Sequence, residues 1–169
     1  EDHGLASWAF DPVAAGLATQ TTSGSIYLVR LPIRRAATVG TIWFGIGTAA
    51  SGITSGQALA GLVGPTGTVL ASASIATQIA ATGVQSVTVT SQALAQGYCW
   101  VAFLVVASTM PFFAHATPAA NATGLMNVNL SAAAYRYAIN GTSQTALPGS
   151  FTLASNSQTN AKGIWVGLS

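Results

Sequence analysis

The chain has 169 residues, a length that suits a single domain with a sizeable core. Half of the residues are hydrophobic, yet the longest apolar run is ten residues, whereas a membrane-spanning helix needs roughly 20. Five basic and three acidic residues give a formal charge of +2, which argues against a surface that binds nucleic acid through phosphates. The chain is therefore expected to be a domain with no nucleic acid partner and no membrane insertion.

Residues 1–24 are predicted to form an irregular leader that packs on the body, which comprises residues 25–169. Glycine, proline and a polar tract break the pattern of this leader. Trp8 and Phe10 are its large aromatic residues, and we expect them to attach it to the body.

The body contains a series of short segments with the period-two pattern of β-strands. Gly64-Pro-Thr-Gly67 separates two of them and predicts a compact hairpin. Residues 73–83 are predicted as a loop, although Ile75 and Ile79 have the spacing of one helical turn. The predicted strands of this part are Ile26–Ile33, Val39–Ile46, Ala58–Val63, Thr68–Ala71 and Val84–Thr90.

The most apolar segment runs from Gly97 to Ala107 and predicts a central strand. Alternation places Tyr98, Trp100 and Leu104 on one face and residues 99, 101, 103 and 105 on the other. Both faces are apolar, so both need cover. Neighbouring copies of the chain and the long connection over residues 108–135 are equally suited to cover the second face.

After Pro111 the pattern is weaker. Phe112 and Phe113 fit the start of another strand, and Ser131–Ala138 fits either a short helix capped by Ser131 or an extended segment. Asn140-Gly141 predicts a type I′ turn. Gly163–Leu168 predicts a closing strand. Seven or more short strands with turn signals between them indicate an all-β fold, a jelly-roll-like antiparallel β-sandwich.

Catalytic and metal-binding constellations are missing from the sequence. The acids Glu1, Asp2 and Asp11 all lie in the leader, so the body has no carboxylate pair for glycoside hydrolysis. No Gly-x-Ser-x-Gly motif and no phosphate-binding Gly-Lys-Ser/Thr loop is present. Cys99, in the central strand, is interpreted as a small buried hydrophobe, and His115 as a structural or surface residue. We therefore expect no enzyme, no metal site and no cofactor.

Two groups of residues are candidates for ligand binding. Tyr135-Arg136-Tyr137 combines two aromatic rings with a guanidinium group, which together can hold a sugar ring by stacking and hydrogen bonding. The alternative is that the tyrosines alternate into the core and Arg136 faces solvent. Arg34-Arg35 can meet an anionic polymer such as a teichoic acid, or can be a solvated strand end.

Several stretches resemble the C-terminal modules of minor tail proteins, the receptor-binding or tail fibre proteins, of actinobacterial phages. They cover nearly the whole chain and include residues 5–12, Ser23–Pro32, Trp43–Thr48, Ser55–Leu62, Gly97–Phe103 and Tyr135–Gly141. The resemblance implies a β-sandwich head domain of a tail fibre or baseplate component, commonly a homotrimer, that attaches to the host surface. It transfers no binding residues to this chain.

From this resemblance we expect a phage virion structural protein that is extracellular and adheres to a host cell-surface carbohydrate or polymer. Its partners would be further copies of itself, with a trimer favoured, and other virion proteins. Two alternatives have the same fold: a capsid-decorating or purely architectural virion domain, and a secreted carbohydrate-binding module. The last alternative predicts a monomer with an exposed aromatic platform.

Overall fold

The computed structural model describes residues 2–116, 125–158 and 163–169. In this part of the chain the strands are β1 (Ser7–Trp8), β2 (Leu17–Gln20), β3 (Ile26–Ile33), β4 (Ala37–Thr48), β5 (Ser51–Val63), β6 (Val69–Ser74), β7 (Gly83–Leu94), β8 (Gly97–Thr109), β9 (Phe112–Ala116), β10 (Tyr137–Ile139), β11 (Ser157–Gln158), β12 (Gly163–Ile164) and β13 (Val166–Leu168). The short α-helix α1 spans Ala76–Ile79, and single 3-10 turns lie at Asp2–Gly4, Pro12–Ala14, Leu125–Asn127, Ala132–Ala134 and Leu153–Ser155.

The strands form two antiparallel sheets. Sheet A has the order β1-β13-β4-β9-β12, with β2 also on β9 and β7 also on β4. Sheet B has the order β11-β10-β3-β8-β5-β6. One continuous core contains residues of both sheets, among them Phe44 of β4 and Phe103 of β8, whose rings meet edge to face at 5.5 Å. The predicted all-β, two-sheet fold is confirmed at this level.

Strand β8 is the central strand of sheet B, with β3 on one side and β5 on the other. Its alternation is as predicted: Cys99, Val101, Phe103 and Val105 point into the core between the sheets. Trp100, Ala102 and Leu104 point to the outer face of sheet B, where they belong to a second apolar cluster. Strand β3 follows the same rule and has the predicted bounds, Ile26–Ile33.

The second cluster is covered by the chain itself. Leu147, Phe151 and Leu153 pack there on Trp100 and its neighbours, together with Tyr135. We call residues 141–156 the covering segment. Of the two alternatives for this cover, the connection over residues 108–135 contributes Tyr135, and the covering segment after it contributes Leu147, Phe151 and Leu153. With the covering segment in place, the outer apolar residues of β8 give no reason to require a second copy.

Two local predictions were wrong. Strict alternation along the predicted strand Val39–Ile46 puts Val39 on the face opposite Ile42 and Phe44, but a β-bulge between Val39 and Thr41 shifts the register and turns Val39 into the core. Residues 73–83 were predicted as a loop, but they complete β6 and form α1. Ile75 and Ile79, four residues apart, are both fully buried, and this burial outweighs their β-propensity.

The first 24 residues are less irregular than predicted, because β1 pairs with β13 and β2 pairs with β9. Phe10 packs on the core, and its carbonyl oxygen accepts a 3.0 Å hydrogen bond from the Trp165 indole. The predicted closing strand is interrupted at Trp165, which separates β12 from β13. The β1–β13 pairing and the Trp165 hydrogen bond join the start of the chain to residues 163–169, a long-range link that no local pattern encodes.

The predicted turn at Asn140-Gly141 does not form a type I′ hairpin. Only Gly141 has a positive φ, whereas type I′ needs one at both positions. The Asn140 amide instead donates to the Thr152 carbonyl at 3.0 Å and to the Asn156 side-chain oxygen at 2.7 Å. These bonds attach the covering segment to the end of β10. For Ser131–Ala138 the alternatives were a short helix and an extended segment, and the structure has a 3-10 turn followed by the start of β10. The Ser131 side chain does not cap the turn.

Candidate functional site

The predicted tripeptide Tyr135-Arg136-Tyr137 is split between three environments. Tyr137 begins β10 and lies in the main core, with 3% of its surface exposed. Tyr135 is half-buried against the second cluster, and its carbonyl oxygen accepts a 3.3 Å hydrogen bond from the Trp100 indole. Arg136 is exposed. The tyrosines therefore do not form one aromatic platform, and Arg136 alone of the three is free to meet a ligand.

Asn127 fixes the backbone at Arg136. It is buried, and its side-chain oxygen accepts hydrogen bonds from the backbone N–H of Arg136 at 2.7 Å and of Tyr137 at 3.2 Å. Its amide nitrogen donates to the Tyr137 carbonyl at 2.7 Å. One side chain thus satisfies three backbone groups where β10 begins, and this network holds the base of the Arg136 side chain in place.

The register of sheet B brings Arg136 to Arg30 and Tyr98. Tyr137 lies opposite Val29 and the Arg30 N–H donates to the Arg136 carbonyl at 2.8 Å, so the two arginines are cross-strand neighbours. On the other side of β3, Pro32 lies opposite Tyr98. By strand alternation Arg30, Pro32 and Tyr98 lie on the outer face of sheet B. They line a depression of about 290 Å³ that we call the arginine depression: Arg30, Pro32, Gly97, Tyr98 and Arg136.

The two guanidinium groups have most of their donors unused. Arg30 lies 5.2 Å from the centre of the Tyr98 ring and makes no side-chain hydrogen bond within the described residues. Arg136 donates one N–H to the Ala9 carbonyl at 2.9 Å and lies 5.7 Å from the Tyr137 ring centre. Neither has an acidic partner in the part of the chain that the structure describes. Burial lowers the pKa of Arg30, Tyr98 opposes this shift, and the charge of Arg136 adds to it.

Tyr98 also separates the arginine depression from a second one. The indole of Trp100 supports its ring edge to face at 5.1 Å, and 43% of Tyr98 remains exposed. On its other side a mostly apolar depression of about 460 Å³ opens between the β5–β6 and β7–β8 turns. This apolar depression is lined by Pro65, Leu70, residues 93–96, Gly97 and Tyr98.

The predicted pair Arg34-Arg35 lies just past the end of β3, and both residues are exposed. Arg34 lines a small depression of about 30 Å³ with Ala6, Ser7, Trp8 and Pro32. Pro32 is the residue that it shares with the arginine depression. The structure thus does not bring Arg34 and Arg35 into the same depression as Arg136. Sequence reasoning missed Arg30 and Tyr98, because each is one residue within an apolar strand.

Other reactive groups are placed as follows. Cys99 is buried, and burial raises its pKa from 9.0 to about 12, so the thiol stays protonated. His115 is buried on β9, opposite Leu17 and Ile164. Among the described residues, no three histidine, cysteine or acidic side chains lie close enough together to hold a metal ion. Lys162 lies outside the described residues.

The comparisons with known proteins do not identify a relative. No family model matches the chain, and no curated protein matches it. The resemblance to phage minor tail modules therefore stays a prediction. In the described ranges, no helix has both the length and the hydrophobicity that crossing a bilayer would take.

Proposed function

We propose that this chain is an adhesion domain of a phage virion, of the kind found at the tip of a tail fibre or baseplate, and that it binds a host-surface polymer without chemical turnover. One observation carries the binding part of the proposal: two guanidinium groups with unused donors lie on one side of an exposed tyrosine ring in an open depression. Guanidinium groups and aromatic rings together hold polar, hydroxyl-rich ligands at low affinity. The phage assignment is based on the sequence resemblance.

We also propose that the sandwich is jelly-roll-like and works as a homotrimer. A shallow depression gives weak binding, and several copies on one particle raise the overall affinity through avidity without further contacts. Light scattering on the purified chain tests the trimer. A monomer would favour the alternative of a secreted carbohydrate-binding module, for which Tyr98 is the exposed aromatic residue.

A pull-down on isolated actinobacterial cell walls tests the adhesion. The wild-type chain should sediment with the walls, and the double variant Arg30→Gln/Arg136→Gln should sediment at least tenfold less. The double variant Arg34→Gln/Arg35→Gln removes the same charge from the neighbouring surface and serves as the matched control, which should bind like the wild type. Thermal denaturation of each variant shows that the fold is retained.

The absence of wild-type binding to any wall preparation would contradict the adhesion proposal and favour a purely architectural virion domain. Equal losses in the two double variants would mean that the walls attract positive charge without using the depression. Loss only in Arg34→Gln/Arg35→Gln would move the site to the end of β3.

A further inference from the structure

We infer that the arginine depression and the apolar depression form one groove for an anionic polymer, a chain of hydroxyl-bearing units with phosphate or carboxylate groups. The anion would lie between Arg30 and Arg136, and the next unit would pass Tyr98 and rest against Pro65. This inference deepens the proposed function and rests on it, because it names the chemical class of the surface polymer.

The positive charge of the arginine depression favours an anionic ligand. Two guanidinium groups converge there without an acidic partner among the described residues, and from Ala36 to Tyr135 the sequence contains no acid at all. Their mutual repulsion and the partial burial of Arg30 disfavour the empty, doubly charged state. An anion between the two arginines offsets their repulsion and the burial of the Arg30 charge. It also accepts hydrogen bonds from guanidinium N–H groups that have no acceptor among the described residues. Phosphate and carboxylate groups match the planar fork of a guanidinium group.

The arginine depression and the apolar depression adjoin each other. Gly97 and Tyr98 line both depressions, so only the start of β8 separates them. The strand order β10-β3-β8-β5 brings Arg136, just before β10, next to Arg30 and then Tyr98, and Pro65 follows in the turn after β5. Tyr98 lies opposite Pro32 and two residues from the partner of Arg30, so the middle step is diagonal and the path exceeds the roughly 14 Å of three inter-strand spacings. A path of that length accommodates more than one unit of a polymer.

The second half of the groove, which is the apolar depression, has a mostly apolar and uncharged lining. The apolar depression contains Pro65, Leu70 and Leu94, with Gln96 as its polar side chain, and it has no charged residue. This surface suits the uncharged part of a repeating unit, with Tyr98 as the ring against which it stacks. Nucleic acid is a poor fit, since its binding requires many phosphate contacts and the whole chain has only five basic residues.

Calorimetric titration with soluble probes tests the inference on the full chain. The probes are poly(glycerol phosphate), polygalacturonate, dextran as the neutral polymer, and single-stranded oligothymidylate, all at one ionic strength. Poly(glycerol phosphate), polygalacturonate or both should bind tenfold or more tightly than dextran, and also more tightly than the oligonucleotide. Whichever binds more tightly identifies the anion.

Arg30→Gln and Arg136→Gln should each weaken binding of that polymer about tenfold, and Arg34→Gln/Arg35→Gln less than twofold. Gln96→Ala should weaken binding of the polymer about threefold and leave binding of its monomer unchanged, since the monomer occupies only the arginine depression. Equal affinity for dextran, tighter binding of the oligonucleotide, or insensitivity to Arg30 and Arg136 would overturn the inference. An equal effect of Gln96→Ala on polymer and monomer would overturn the two-part groove.

The titration and the wall pull-down can fail separately. A chain that binds the anionic probe through the arginines but binds no cell wall keeps the groove and loses the adhesion function. A chain that binds walls but no anionic probe keeps the function and loses the anionic groove.

Discussion

The outer face of sheet B has two halves that share strands β3 and β8 but differ in what lies on them. In the covered half, Ile26, Leu28 and Trp100 are sealed beneath the covering segment and form a second core. In the open half, Arg30 and Tyr98 continue the same two strands but line the arginine depression and do not belong to the second core. The alternation of the strands is identical in both halves. The difference shows that a sheet face becomes core or surface according to where the covering chain stops.

The largest effect on stability is expected from a substitution that weakens the packing of the covering segment on sheet B. Phe151 is buried in the second cluster, so Phe151→Ala should reduce the free energy of unfolding by about 3–5 kcal/mol. Urea denaturation measures it, with the exposed Val84→Ala as a control expected to change little. A loss below about 1 kcal/mol would mean that the covering segment does not dock and that both halves are open.

A smaller effect is expected at the residue that fixes the edge of the open half. Asn127→Ala removes three hydrogen bonds to the backbone at Arg136 and Tyr137, and should lower the free energy of unfolding by about 2–3 kcal/mol. The exposed neighbour Val128→Ala is the control. Because the base of Arg136 is released, binding of the anionic probe should weaken as well. A variant with normal stability would show that Asn127 does not support β10.

The pH dependence of the free energy of unfolding tests whether the core beneath the open half, where Cys99 lies, excludes water. The pKa of Cys99, raised by burial to about 12, exceeds that of an unfolded thiol near 9, so its stabilising contribution is complete below pH 9 and is lost as pH rises towards 12. The free energy of unfolding should fall by about 1.4 kcal/mol per pH unit in this window. Urea titrations of wild type and Cys99→Val measure it.

Cys99→Val should retain only a weaker fall at higher pH. Tyr137 contributes that remainder, because burial raises its pKa while Arg136 opposes the shift. The same steep slope in both proteins would show that Cys99 is accessible to water and that the core is not sealed beneath Tyr98.

The smallest effect on stability is expected in the open half itself. Arg30→Met should change the free energy of unfolding by no more than about 0.5 kcal/mol, since the guanidinium group makes no hydrogen bond within the described residues and its loss relieves repulsion with Arg136. Binding of the anionic probe should nevertheless fall about tenfold. A large loss of stability would mean that Arg30 holds the fold together and would remove the contrast between the two halves.

Much of the framework could be predicted from the sequence because it is encoded locally. The alternation of β3 and β8 follows from side-chain types alone, and Gly64-Pro-Thr-Gly67 forms the expected tight connection between β5 and β6, closed by a 2.8 Å hydrogen bond from the Gly64 N–H to the Thr68 carbonyl. The bulge after Val39 could not be predicted, because it depends on the pairing of β4 with β7. The covering segment was missed since its apolar residues are few and lie among turn formers.

The candidate site was predicted only in part for a related reason. Arg136 was identified because it lies between two tyrosines, but those tyrosines pack into the protein. Its actual neighbours, Arg30 and Tyr98, are distant in sequence and meet it through strand register. Register between β10, β3 and β8 is a property of the folded sheet, and no local pattern in a single sequence reports it.

The position of β13 has a consequence for how the molecule folds. This strand inserts between β1 and β4, so sheet A cannot close until residues 166–168 have been made and have found partners more than a hundred residues earlier. Such non-local pairing requires large loops to close before any stabilisation is gained, which predicts refolding on the millisecond-to-second scale. During synthesis this edge of β4 would be open to incorrect partners until β13 has been made.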